Sequence, residues 1–114
     1  MHKKKRKNTR NKVWPETVTH VKYRDPLNSN NIVSFKAGVD NLGSDGVFIK
    51  TDEVIVSGTD VDMKIDFNPG SHPPIFIFAE GIVLRTEKNG FAVRFTKIDV
   101  HALGECIMAR LNMK

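Results

Sequence analysis

Apolar and polar positions alternate along most of this chain, and the period lengthens only near its end. The alternation is cleanest between residues 61 and 67, where Val61, Met63, Ile65 and Phe67 interleave with Asp62, Lys64 and Asp66. A two-residue period sends one set to a buried face and the other to water, as in an antiparallel sheet with one dry side. The β-branched run at 17–23 predicts another strand, and so does 32–39, where Ile32, Ser34 and Lys36 oppose Val33, Phe35 and Ala37. Shorter strands are predicted at 47–50 and 91–95; in the latter Phe91, Val93 and Phe95 share a face and Arg94 takes the other. Residues 75–78 and 82–85 read as one long strand, with Gly81 marking a bulge or bend. Residues 24–31 and 68–74 are loops by their Asn, Ser, Pro and Gly content, and 54–59 is a short apolar run ending in a turn. Asn89-Gly90 signals a hairpin turn. In the tail, Val100, Leu103, Ile107 and Leu111 follow helical spacing, predicting a helix over 100–112 capped by Asp99 or Thr96. The expected fold is therefore all-β and mainly antiparallel: a small six- or seven-stranded barrel with a C-terminal α-helix. It forms a single domain over 13–114, preceded by an arm at 1–12.

Composition sharpens this picture in one respect. The 114 residues make one domain, and 39% apolar content supports one modest core. Of the 18 Lys and Arg, seven fall in residues 1–12 with no acidic residue, leaving 11 bases against 13 acids in the remainder. The chain is thus a slightly acidic body carrying a strongly basic arm, and the arm alone has nothing to bury. Trp14, the one tryptophan, is expected to anchor the arm to the body. The lone Cys106 excludes an internal disulfide and any multi-cysteine metal site, reads as a buried small hydrophobe, and fits a reducing, cytoplasmic compartment. No apolar run reaches the ~18–20 residues of a membrane span, and no apolar segment of a secretory signal follows the basic start.

Little argues for catalysis. His2, His20, His72 and His101 show no metal-ligand spacing and read as surface or structural residues. Asp60, Asp62 and Asp66 fit a solvated strand face better than a carboxylate pair, and no nucleophile elbow or phosphate loop is present. Two other stretches carry chemistry. The polar turn Asn41-Leu42-Gly43-Ser44-Asp45-Gly46 lets a backbone approach something closely, since glycine adds no side chain. In the arm, Arg6-Lys7-Asn8-Thr9-Arg10 holds two arginines four apart. A Lys/Arg run is most often a solubilising tail or a salt-sensitive polyanion contact. Arginine adds a planar fork that pairs with a phosphate or with guanine O6/N7, and a flat face that stacks on a base.

Taken together, these residues resemble the PilZ domain, a bacterial receptor module for cyclic di-GMP. The family's R-x-x-x-R element matches Arg6 to Arg10, preceded by Lys5, and its D/N-x-S-x-x-G element aligns with Asn41 to Gly46 roughly thirty residues on. The strand that follows, Val47-Phe48-Ile49-Lys50-Thr51, matches too, as do Gly58-Thr59 and Gly90-Phe91-Ala92-Val93-Arg94-Phe95. The resemblance implies a β-barrel whose arm folds over the rim and closes on cyclic di-GMP, often bound as a stacked pair. It also implies ligand-binding roles for Lys5, Arg6, Arg10, Asn41, Gly43 and Gly46, no catalysis, no cofactor and no metal. Arg6 and Arg10 take guanine edges and phosphates, Asn41 accepts from a guanine's Watson–Crick edge, and Gly46 keeps the turn open. The implied partners are cyclic di-GMP and a protein effector in motility, biofilm or envelope processes.

Two departures change the expected site. Gly43 stands where the family has serine, and one missing hydrogen bond costs about 0.5–1.5 kcal/mol, or at most roughly tenfold in affinity. Asn41 keeps an acceptor where the family's alternative, Asp, would add a negative charge. The arm also begins at the very start of the sequence, which leaves Arg6 little chain before it as a brace. Two other readings follow: a degenerate module that binds protein but no nucleotide, suggested by Gly43, and a basic-armed nucleic-acid binder. The acidic body and the mostly inward positions expected for the seven Phe count against the second.

Overall fold

A computed structural model describes residues 14–112 of the chain. The predicted strands form as β1 (Val18–Arg24), β2 (Ile32–Asp40), β3 (Gly46–Lys50), β4 (Asp60–Asp66), β5 (Phe76–Glu87) and β6 (Gly90–Ile98), followed by one helix, α1 (Val100–Leu111). All ladders are antiparallel, and they close a barrel in the order β1-β2-β3-β6-β5-β4. Closure leaves no sheet edge unpaired, which suits a domain whose strands are short. The interior is filled by the inward halves of the alternating patterns: Val21, Ile49, Ile65, Phe67 and Phe91 are fully buried.

Several particulars refine the sequence pattern. Residues 54–59 form no strand, so the barrel has six strands. Ile55 is buried while Val54 and Val56 are exposed, and the segment is tied to β5 through Gly58 N–H to the Val83 carbonyl and Thr86 Oγ1 to the Ile55 carbonyl. The β5–β6 hairpin turns within the expected Glu87–Gly90 stretch, with Lys88-Asn89 at its tip and Gly90 paired with Glu87. Phe76 and Phe78 face outward, while Ile75 and Ile77 take the core positions. Cys106 is half-buried rather than buried, and its thiol donates to the Phe76 carbonyl at 3.4 Å. The Gly81 bulge forms as expected: the β5–β6 register shifts between Glu80 and Gly81, and a Cβ at Gly81 would stand 2.7 Å from the Arg94 carbonyl oxygen.

The helix starts where its capping residue predicts. Asp99 is extended, and its Oδ1 accepts the Ala102 N–H at 3.0 Å. Leu103 is buried in the core, and Ala102, Cys106 and Ile107 pack against it from the same side. No described helix is long and apolar enough to cross a membrane.

Candidate functional site

The 41–46 turn joins β2 to β3, and its sequence explains each bend. Asn41 adopts φ 47°, a left-handed conformation that Asn tolerates better than most residues, and its N–H is held by Asp40 Oδ1 at 2.9 Å. Leu42 then turns into the core, 4% exposed, and pins the loop from beneath. The Gly43 N–H donates to the Gly46 carbonyl at 2.9 Å, and the Phe95 N–H donates to the Asp45 carbonyl at 2.9 Å, which fastens the turn to β6. Asn41 and Ser44 remain exposed at the tip, and Gly43 is half-exposed. The turn is therefore pinned from beneath and from β6, with its polar tip in water.

Gly46 has a packing reason to lack a side chain. It pairs with Arg94 on β6, and a Cβ there would run into the Val93 carbonyl oxygen. That requirement holds with or without a ligand. The sequence-predicted residues Asn41, Gly43 and Gly46 thus come together in one turn, whereas Lys5, Arg6 and Arg10 lie outside the described residues. Opposite Gly46, Arg94 presents an exposed guanidinium on the outer face of β6.

The start of β1 lies at the same end of the barrel as this turn. Val18 pairs with Gly38, three residues before Asn41, and on its other side with Asp66 at the end of β4. Trp14, expected to anchor this stretch to the body, packs there in a cluster whose distant members sequence alone did not reveal. Trp14 meets Phe67 edge-on at 6.4 Å between ring centroids, and the Arg110 guanidinium lies over the indole at 5.0 Å. Arg110 also donates to Glu16 Oε1 at 2.8 Å and to the Phe67 carbonyl at 3.3 Å. A hydrogen bond from the backbone, and then the Arg110 side chain, hold the Glu16 carboxyl below its ordinary range. Glu16 and Arg110 are 94 positions apart, so no local signal pairs them.

Among the described residues, no group of three His, Cys, Asp or Glu side chains comes close enough to hold a metal ion. No curated protein matches the chain. The family model for the PilZ domain matches residues 4–109, nearly the full length. With a closed antiparallel barrel, a capping helix and the polar β2–β3 turn in place, the chain belongs to the PilZ domain family.

Proposed function

We propose that this protein is a cyclic di-GMP receptor that works by binding and signals to a protein partner without catalysing a reaction. The observation that carries this reading is that β1 begins at the barrel end that holds the Asn41–Gly46 turn. Three residues separate Arg10 from Trp14, a connection that spans at most about 14 Å, so Arg10 stays within reach of that end. In this reading Arg6 and Arg10 grip guanine edges and phosphates, Lys5 adds charge, and Asn41 accepts from a guanine. Gly43 lets the dinucleotide lie close to the backbone, and Gly46 holds the turn against β6 beneath it. The arm supplies the positive charge that a dianion needs beside the exposed Asp45 and the half-buried Asp40, and Trp14 at its base reports the closure.

Isothermal titration of the full chain with cyclic di-GMP tests this. Saturable binding in the micromolar range is expected, with a change in Trp14 fluorescence. An absence of heat and of any fluorescence change would overturn the reading. Gly43 favours one rival, a family member that has lost the nucleotide and keeps only a protein contact. The two part on Gly43→Ser. In a receptor that already binds, the added hydroxyl improves affinity by no more than about tenfold. In a degenerate module it creates binding where the parent has none.

A further inference from the structure

The outer face of β4 and β5 carries two aromatic rings that the fold itself does not use. Phe78 is 67% exposed, and Phe76 meets it edge-on at 5.5 Å between centroids. Isolated exposed apolar residues are ordinary, but here the polar surroundings are organised about the rings. Lys64 stands directly across from Phe78, yet its ammonium lies over the Phe76 ring at 4.5 Å. Phe78 has no such cation among the described residues. Instead it borders an open hollow of about 380 Å³, floored in part by Ile98 and edged by Asp62, Glu80, Asp99 and Lys97.

The charges about this hollow face one another without pairing closely. Asp62 and Glu80 are direct cross-strand partners, and like charges in that position repel. Neither makes an ion pair with a described residue within 4 Å. Lys22 lies across from Asp62 on β1 and Lys97 across from Glu80 on β6, and Lys97 is the cation that lines the hollow beside Asp62, Glu80 and Asp99. An open aromatic face beside two carboxylates that no described cation meets within 4 Å suits a guanidinium, which is flat enough to stack and forked enough to meet both acids.

We infer that this face docks an arginine-bearing, basic segment of a partner protein, with one arginine over Phe78 and its guanidinium held by Asp62 and Glu80. The site is separate from the nucleotide platform. In the ring of strands, β4 and β5 lie across the barrel from β2 and β3, which carry the 41–46 turn. The two surfaces can be occupied together, and this inference stands whether or not the chain binds nucleotide.

The test is a titration of the isotope-labelled full chain, followed by amide resonances, with a peptide of alternating glycine and arginine. Its lysine and glutamate counterparts and spermidine serve as comparisons. Saturable shifts are expected at Asp62, Lys64, Phe78 and Glu80, with the arginine peptide binding more tightly than the lysine peptide and the glutamate peptide not binding. Phe78→Ala and Glu80→Lys, both at exposed positions that leave the fold intact, each weaken the peptide by about fivefold or more. Cyclic di-GMP titrations of both variants match the parent, which separates failure of this site from failure of the nucleotide reading. Four results would overturn the inference: no saturable shift, shifts confined to another face, equal binding by spermidine, or peptide affinity unchanged in both variants. Phe78-dependent self-association without peptide would also overturn it, by giving the face to a second copy.

Discussion

Thr19 shows what a single residue costs this barrel. Its side chain points inward, it is 0% exposed, and its hydroxyl has no hydrogen-bond partner among the described residues, whereas Thr17 reaches the Phe67 carbonyl. A buried hydroxyl without a partner is destabilising by about 1–3 kcal/mol. Thr19→Val keeps the shape and removes the orphan, so it should raise stability by about 1–2 kcal/mol in urea unfolding. An unchanged or lowered midpoint would mean the hydroxyl is satisfied. Glu16 makes a pH-dependent case. Its carboxyl titrates below the ordinary value of 4.5, so the stabilisation it confers is complete above that pH and fades as the pH falls through the lower folded value. The stability gap between the protein and Glu16→Gln should therefore be present at neutral pH and close in acid. A gap that instead widened on acidification would contradict the assigned contact. Gly46 is constrained by packing. Gly46→Ala pushes a methyl at the Val93 carbonyl and should cost about 1–3 kcal/mol in thermal unfolding, quite apart from any effect on ligand.

At the scale of elements, α1 is held at both ends by named contacts. Asp99 caps its first turn, and Arg110 in its last turn ties it to Trp14, Glu16 and Phe67. Asp99→Ala should cost about 1 kcal/mol, read as a lowered unfolding midpoint. Between these ends Cys106 packs on β5. Burial, and then the neighbouring Glu105, push its thiol above its ordinary range, so it stays protonated and slow to react at neutral pH. Iodoacetamide should modify the native protein more slowly than the urea-unfolded chain, and equal rates would show that the helix does not shield the thiol. The Trp14–Arg110 contact also joins the segment before β1 to α1.

Over the whole sequence, charge is separated. Seven bases without an acid precede residue 13, and the remainder carries two more acids than bases. In the proposed receptor the arm is the electrostatic half of the site, and the 41–46 turn is the shape-giving half. Arg6→Ala combined with Arg10→Ala removes two charge-assisted contacts and should weaken cyclic di-GMP by about a hundredfold or more in calorimetry. The unfolding temperature should stay unchanged, because these arginines precede the barrel. Retained affinity would place the nucleotide elsewhere on the protein.

Much of this was written into the pattern of residues. The two-residue alternation at 61–67 and 91–95, the glycine at the β5 bulge and the shift to helical spacing after Asp99 each reflect local physics that the fold obeys. The polar turn was visible because Asn and Gly mark backbone conformations that other residues avoid. What remained hidden depended on contacts between distant parts of the chain. Residues 54–59, the apolar run ending in a turn, lie along β5 with only Ile55 inside, since the ring is closed by six ladders. Phe76 and Phe78 could be assigned to water only once register gave Ile75 and Ile77 the core. Glu16 and Arg110 meet because the barrel brings the start of β1 and the end of α1 to one place. Periodicity records which faces of an element are dry, but only closure of the barrel decides which elements meet and which aromatic rings are left outside.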